Sequence, residues 1–192
     1  MTAHLVLPPA ADIVAEIERA VERGPKSGTP TTTTEGPTWA TLVVALVNSN
    51  LRQWDLEDTT RDPEASDTEV ANAKREIDRL NIGRHRLVEE IDAAIDSALS
   101  QPDTGPIATE SPGMVLDRLS VLVIRRARTA SALSSSPGFA DRALALESQV
   151  VALSVALDCY LDELRAGTRR FLRYESFKLY GGPATAVGSA KE

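Results

Sequence analysis

Apolar residues recur every three or four positions along most of the chain, which is the spacing of one buried face of an α-helix. The first such segment runs from Asp12 to Arg23 and stops at Gly24-Pro25; the second begins near Thr38, continues to about Thr60 and is followed by Asp62-Pro63. Glycine just past a helix end and a proline shortly after it both terminate helices. We therefore predict a helix over each segment.

The third segment opens with a capping box, Ser66-Asp67-Thr68-Glu69. In this motif the serine oxygen accepts the N–H of the glutamate, whose carboxylate reaches back to the serine. The apolar stripe that follows has a heptad-like repeat, which predicts a helix to about Ala98. Two polar residues, Asn81 and Arg84, interrupt the stripe, which consists of Val70, Ala73, Ile77, Leu80, Leu87, Val88, Ile91 and Ile95.

Ser111-Pro112 has the residue types of an N-cap and a first helical position, and predicts a fourth helix from Gly113 to about Ser131. This helix is apolar nearly all round and is expected to be central. After Ser134–Gly138 a fifth helix runs to Gly167. Its apolar residues step by four and three positions and form a packing seam: Leu146, Val150, Leu153, Leu157, Tyr160 and Leu164. Thr168 to Tyr180 is predicted to be a last short helix.

These segments predict an all-α fold, a single-domain helical bundle of about five to six helices, mostly antiparallel. Residues 1–37 should form a short N-terminal helix and a polar, threonine-rich loop, residues 38–182 the bundle core, and residues 183–192 a disordered tail. A chain of 192 residues that is 42% hydrophobic can bury a core without disulfides or structural metals.

The charge balance narrows the classes of partner. A net charge of −7, from 28 acidic and 21 basic residues, argues against nucleic acid, whose phosphates would be repelled. The N-terminus has no basic segment followed by an apolar run, and we see no stretch of roughly 18 to 20 apolar residues. We therefore expect a cytoplasmic protein with no membrane partner. The single cysteine, Cys159, lies in an apolar-periodic stretch and is expected to be buried.

The polar end of the second helix is the first candidate for chemistry. Asn50, Trp54, Glu57, Asp58 and Arg61 recur at helical spacing, so a ligand on this face would meet an amide, an indole, two carboxylates and a guanidinium. The alternative is a solvated helix end with an intrahelical ion pair, worth a few tenths of a kcal/mol.

Arg84 is the second candidate, because it occupies a position in the apolar stripe of the third helix. A buried arginine without a carboxylate partner costs several kcal/mol, so we predict that an acid from another helix reaches it. Glu57, Asp58 and Asp117 are the possible partners. Such a cluster either fixes the structure or binds a ligand.

The start of the fourth helix is the third candidate. Glu110-Ser111-Pro112-Gly113 precedes Asp117-Arg118, and a helix N-terminus with serine and glycine offers amide hydrogens to a phosphate or carboxylate. The alternative is a capped helix with one buried ion pair.

No established catalytic motif is present: there is no phosphate-binding glycine loop, no nucleophile elbow and no histidine pair at metal-ligand spacing. His85 lies between two arginines and is expected at the surface. Glu89 and Asp92 form a Glu-x-x-Asp step that could hold magnesium, but the Glu-Glu-x-x-Glu element that should accompany it is missing. Near the C-terminus, aromatic residues alternate with basic ones, and they either grip an anionic partner or dock the terminal helix: Phe171, Tyr174, Phe177 and Tyr180.

With these residues assembled, the chain resembles the bacterial domain of unknown function 4254 family. The resemblance implies an all-helical fold with a shared polar cluster, and no established activity. Members often carry histidines at the places held here by Val47 and Asp55, so a histidine-based metal site is not expected. The matching stretches are Asn50–Arg61, Lys74–Asn81 with Arg84, Glu90–Asp92, Glu110–Gly113, Asp117–Ser120 and Phe177–Tyr180.

Our leading hypothesis is a pocket between the second, third and fourth helices for a small polar, anionic ligand of phosphate, nucleotide or nucleotide-sugar type. One alternative is a non-enzymatic dimer that associates through the seam of the fifth helix, and another is a magnesium-dependent nucleotide diphosphate hydrolase. Whether the protein is an enzyme and which cofactor it uses stay open. If chemistry occurs, the catalytic candidates are Glu57, Asp58 and Asp117; the ligand-binding candidates are Asn50, Trp54, Arg61, Asn81, Arg84, Glu110, Ser111 and Arg118.

Overall fold

The computed structural model of the protein describes residues 7–25, 38–99, 101–133 and 137–176. Within these residues the chain forms helices and no named strand, and a single parallel β-bridge joins Ile107 to Arg170. The all-α prediction is therefore confirmed. The five α-helices are α1 (Ala10–Arg23), α2 (Trp39–Arg61), α3 (Asp67–Ala98), α4 (Pro112–Leu133) and α5 (Ala140–Arg165).

The helix ends lie where their sequence signals placed them. The capping box of α3 is complete: the Glu69 N–H donates to Ser66 Oγ at 3.3 Å, and Glu69 Oε2 accepts the Ser66 N–H at 2.8 Å. Thr38 caps α2 by accepting the N–H of Thr41 at 3.2 Å. Gly24 ends α1 with a φ of 73°, a left-handed conformation that favours glycine. Local side-chain chemistry thus fixes these boundaries.

Helix α4 is the central element, as its apolar composition predicted. It packs against each of the other four helices. Its side chains Leu116, Leu119 and Ile124 are at most 1% exposed. The apolar face of α1, with Ile13 and Ile17, closes the same core. The polar ends of α2 and α3 are consequently held at fixed positions beside α4.

The seam of α5 faces the protein's own core. Leu146, Val150, Leu157 and Leu164 are all buried there, so this seam is not a free surface for a partner. Cys159 lies on the opposite face of α5 and is exposed, which corrects the prediction that it is buried.

By length and composition α5 could also cross a membrane. Its most apolar window has a mean hydropathy of 1.5, and 22% of that window is buried. The expectation that no segment is apolar enough was therefore too strict, although one such helix is weak evidence for a membrane span.

The predicted helix over Thr168–Tyr180 is wrong for the part that the structure describes. Residues 168–176 form a non-helical segment, here called the C-terminal strap, that lies along α3. At its start, the N–H groups of Thr168 and Arg169 donate to the Glu163 carbonyl at the end of α5. Further along, three N–H groups donate to side chains: Phe171 to Gln101 Oε1 at 2.7 Å, Tyr174 to Asp92 Oδ2 at 2.8 Å and Ser176 to Glu89 Oε1 at 2.8 Å. Residues 177–180, the predicted loop over 26–37 and the predicted tail over 183–192 lie outside the described residues.

Candidate functional site

A cavity of about 310 Å³ lies between α2, α3 and α4, and we call it the interhelix pocket. Spacing of three or four residues on α2 places Asn50, Trp54, Glu57 and Arg61 along one side of it. Arg84 enters from α3, and α4 supplies the apolar part of the wall. The full lining is Asn50, Gln53, Trp54, Glu57, Arg61, Arg84, Val121, Ile124 and Arg125.

Arg84 is held in the pocket by an acid from another helix, as its position in the apolar stripe required. Its Nη1 atom donates to Asp117 Oδ2 of α4 at 2.8 Å, and the two side chains are 26% and 19% exposed. Of the three possible partners, the structure selects Asp117. At this depth the pair is partly shielded from solvent, so its geometry is better defined than that of a surface ion pair.

Asn50 extends this pair into a network that joins α2 and α4. Its Nδ2 donates to Asp117 Oδ1 at 2.9 Å and to Ser120 Oγ at 2.7 Å, and the residue is only 7% exposed. Both oxygens of Asp117 are therefore engaged, and the carboxylate positions Arg84. Arg84 Nη2 also donates to Asn81 Oδ1 at 3.3 Å. Among the described residues, the enclosed Arg84 Nε has no acceptor.

The outer part of the pocket carries an excess of positive charge. Glu57 Oε2 accepts from Arg61 Nη2 at 3.0 Å, an i,i+4 pair on α2. Arg125 of α4 is exposed and forms no ion pair with the described part of the chain. Trp54 is half-buried and packs one side against the core. The pocket lining thus contains three guanidinium groups and one carboxylate, that of Glu57. Asp117 contacts Arg84 but does not itself line the pocket.

Several predicted residues lie elsewhere. Asp58 is exposed and does not line the pocket. Glu110 and Arg118 pair with each other at 2.8 Å and line a second cavity, of about 340 Å³, between α4 and α5. Asp117 and Arg118 are neighbours in sequence, but Asp117 contacts Arg84 whereas Arg118 lines the second cavity, because successive positions on a helix are rotated by about 100°. The eleven predicted site residues therefore do not converge on one spot.

The N-terminus of α4 already has an anionic partner from the protein itself. Asp92 of α3 accepts the Gly113 N–H at 2.7 Å and a hydrogen bond from the Ser111 hydroxyl. Ser111 is only 3% exposed, and its Oγ accepts the Met114 N–H at 3.4 Å. A carboxylate thus occupies the position that we expected a ligand phosphate to take.

Sequence reasoning missed the role of Asp92. The residue is 0% exposed, and burial raises the pKa of its carboxyl above the usual value, although the hydrogen bonds from Ser111, Tyr174 and Gly113 act in the opposite direction. One signal was available: with Val88, Ile91 and Ile95 it forms the i, i+3, i+4, i+7 pattern of a buried helix face.

His85 is also less exposed than predicted. Its ring stacks on Tyr174 of the C-terminal strap with the centroids 5.4 Å apart, and Nδ1 lies 2.5 Å from the Tyr174 hydroxyl. His85 therefore helps to dock the strap, at a place where the sequence showed only a charged helix surface.

The described residues contain no group of three or more histidine, cysteine, aspartate or glutamate side chains that could hold a metal ion. The carboxylates of the Glu-x-x-Asp step form hydrogen bonds within the protein: Glu89 accepts the backbone N–H of Ser176 and Asp92 accepts that of Tyr174, both in the strap. The residues that suggested a magnesium site therefore have structural partners.

Comparison with known proteins gives one match. A family model described as a protein of unknown function, DUF4254, matches residues 40–172, which include every residue of the interhelix pocket and most of the strap. No curated protein and no solved structure matches the chain. Because the matched range covers more than half of the sequence, the chain belongs to the DUF4254 family.

Proposed function

We propose that the interhelix pocket binds a small anionic ligand that combines a phosphate or carboxylate group with a planar part, as a nucleotide or nucleotide-sugar does. The observation that carries this proposal is Arg84, a guanidinium held at the pocket wall by Asp117 at 2.8 Å. A bundle built only for stability would place an apolar residue in this stripe, because burying a charge is costly even when it is paired.

The electrostatics of the pocket favour an anion. Arg61, Arg84 and Arg125 line it together with a single carboxylate, Glu57. Guanidinium groups bind phosphate and carboxylate through two parallel N–H donors, which gives both affinity and orientation. In a protein with a net charge of −7, such a local excess of positive charge would also concentrate anions at this site.

The remaining lining groups suit the planar part of the ligand. Trp54 is half-buried at the pocket, and an indole face stacks on flat rings such as nucleobases. Asn50 uses its Nδ2 group within the protein, which leaves Oδ1 to accept a hydrogen bond from the ligand. The pocket therefore offers donors for an anion, one acceptor and a stacking surface.

If the pocket also carries out a reaction, Glu57 is the carboxylate that can reach the ligand. Asp117 has both oxygens engaged and acts as a positioning residue, whereas Asp58 lies outside the lining. Binding alone is the more economical proposal, because Glu57 is itself paired with Arg61.

The test is a binding screen with inorganic phosphate, pyrophosphate, nucleoside mono-, di- and triphosphates and sugar nucleotides, with and without magnesium. A ligand that stabilises the native state raises the melting temperature by mass action. The chain has two tryptophans, so a Trp39→Phe variant leaves Trp54 as the single tryptophan, whose fluorescence can be excited selectively to report binding at the pocket.

Matched variants locate the binding site. We expect Arg84→Lys and Arg125→Ala to weaken binding by tenfold or more, since each removes a guanidinium worth about 1.5–3 kcal/mol to a charged acceptor. Arg86→Ala, an exposed position on the same helix that does not line the pocket, should leave binding unchanged. No ligand in the panel, or equal loss in all three variants, would contradict the proposal.

A further inference from the structure

Asn50 is an almost buried amide whose orientation is fixed by its neighbours. It lines the interhelix pocket and is only 7% exposed. The Ser120 hydroxyl donates its hydrogen to the backbone carbonyl oxygen of Asp117 at 2.8 Å, so Ser120 Oγ accepts from Asn50 Nδ2 at 2.7 Å. The other hydrogen of Nδ2 goes to the Asp117 carboxylate at 2.9 Å. The reversed amide would bring its oxygen against that carboxylate, so the chemistry of the neighbours leaves one orientation.

This orientation makes Asn50 Oδ1 an acceptor that the protein itself does not use. Within the described residues no donor reaches this oxygen, and, unlike Arg84 Nε, it is not enclosed. Solvent can donate to it while the pocket is open. A ligand that fills the pocket excludes that solvent, and a buried acceptor left without a donor costs free energy. The pocket therefore favours a ligand that brings an N–H or O–H group to this point.

The order of the groups along the pocket indicates which part of the ligand supplies this donor. Asn50 and Arg84 contact the two oxygens of one carboxylate, that of Asp117, so they lie only one carboxylate apart. Trp54 follows Asn50 by one helical turn, a rise of about 6 Å along α2. A ligand with its anionic group on Arg84 therefore meets Asn50 next and Trp54 after that. A nucleotide has the same order, because its sugar lies between the phosphate and the base.

We propose that Asn50 Oδ1 accepts a hydrogen bond from a sugar hydroxyl of the ligand, which makes the pocket selective for ribonucleotides over their deoxy analogues. The inference rests on the proposed function, because it names the part of the ligand that lies between the phosphate and the ring. A site built to pair with a hydroxyl rejects the analogue that lacks it, since its own polar group is then left unpaired. The exocyclic amine of a base is a less suitable donor, because it lies at the far end of the nucleotide.

The first test compares matched ligands on the wild-type protein by isothermal titration calorimetry. The probes are the 5′-monophosphates of adenosine, guanosine, cytidine and uridine and their 2′,3′-dideoxy analogues. We expect each ribonucleotide that binds to do so about ten- to a hundredfold more tightly than its dideoxy analogue. Equal affinities, or a preference for cytidine over uridine monophosphate without any effect of the hydroxyls, would overturn this inference and leave the anion pocket standing. If neither these nucleotides nor inorganic phosphate and pyrophosphate bind, the proposed function fails as well.

Two amide variants then assign the selectivity to Asn50. Asn50→Ala removes Oδ1, so the ratio of the two affinities should fall to about one, even though both affinities also fall because Asp117 loses a partner. Asn81→Ala is the matched control: its Oδ1 already accepts from Arg84 at 3.3 Å, so both affinities should change by the same factor. Selectivity that survives Asn50→Ala, or that is lost equally in Asn81→Ala, would overturn the inference. The wild-type ligand series decides it even if Asn50→Ala does not fold.

Ribose 5-phosphate distinguishes a nucleotide from a free sugar phosphate, since both carry the hydroxyls that Asn50 would contact. We expect it to lose affinity in Asn50→Ala, as the ribonucleotides do, but to bind the wild type more weakly than they do, because it has no ring to stack on Trp54. Tighter binding of ribose 5-phosphate than of every ribonucleotide would overturn the ribonucleotide assignment.

Discussion

The carboxylate of Asp92 on α3 accepts the backbone N–H of Gly113 in the first turn of α4 at 2.7 Å. The same carboxylate accepts the N–H of Tyr174 through its other oxygen at 2.8 Å. A single buried side chain therefore joins two helices and the C-terminal strap. Substitutions at Asp92 and at the residues around it therefore test these contacts directly.

Replacement of Gly113 by alanine should destabilise the protein. A Cβ atom at this position would lie 2.7 Å from the Val88 carbonyl oxygen and 2.8 Å from Asp92 Oδ1, so α3 and α4 would have to separate. We expect a loss of about 1–3 kcal/mol in the free energy of unfolding, measured by urea denaturation. Gly83→Ala is the control: a Cβ there meets no atom within 4 Å, and we expect a gain of about 0.5–1 kcal/mol. Equal changes in the free energy of unfolding for Gly113→Ala and Gly83→Ala would contradict the close approach of α3 and α4.

Asp92→Asn should release the strap. An amide has one acceptor oxygen, so its NH₂ group would face a backbone N–H of either Gly113 or Tyr174. We expect a loss of about 1–3 kcal/mol from the unsatisfied donors, and faster hydrogen exchange at the amides of the strap than in α2. Uniform exchange rates in variant and wild type would show that Asp92 does not hold the strap.

The same variant isolates the pH dependence of Asp92. Burial raises the pKa of this carboxyl above 3.8, so the native state binds its proton more tightly than the unfolded state does. Its contribution to stability is therefore fully present below the unfolded pKa and decreases as the pH rises through the raised folded pKa. The difference in the free energy of unfolding between wild type and Asp92→Asn should fall as the pH rises from the unfolded to the folded pKa of Asp92, and should stay constant at higher pH. Urea denaturation at a series of pH values measures this difference. A difference that grows with pH would contradict the direction.

Two neighbouring residues of the strap should differ in their effect on stability. Phe171 is 4% exposed and packs in the core, whereas Leu172 is 65% exposed. Phe171→Ala should cost about 3–5 kcal/mol, the usual cost of removing a buried aromatic ring. Leu172→Ala should change stability by about 0.5 kcal/mol or less. Similar losses in thermal or urea denaturation would mean that the strap is not docked as described.

The Arg84 and Asp117 pair should show energetic coupling. Each single alanine variant leaves the other charge partly buried, whereas the double variant removes both. We therefore expect the double variant to lose less stability than the two single variants together, with an interaction energy of about 0.5–3 kcal/mol. The control cycle is Arg61 with Glu57, an exposed i,i+4 pair, for which about 0.3–0.5 kcal/mol is expected. Additive effects at Arg84 and Asp117 would show that the contact contributes little.

Much of the candidate site could be predicted from spacing. The run from Asn50 to Arg61 places one side of the pocket on a single helix face, and the presence of Arg84 in an apolar stripe required an acid nearby. The identity of the acid that pairs with Arg84 could not be predicted from the sequence, because it depends on the rotation of α4 about its axis. The same rotation directs Arg118 to the other cavity. On α2, Asp58 is one position beyond Glu57 and is therefore rotated by about 100° away from it, which leaves it exposed to solvent.

The sequence by itself determined the helices and their ends, because these depend on local interactions: apolar periodicity, N-cap hydroxyls, a capping box and terminating glycines and prolines. Only the tertiary structure decided which face of α5 is buried. Both faces are apolar, and the packing of the other helices determines which of them is covered. It also decided that residues 168–176 are not helical. The N–H groups of Phe171, Tyr174 and Ser176 donate to side chains of α3 and of the loop after it, at positions that are distant in sequence, and no local pattern encodes such long-range hydrogen bonds.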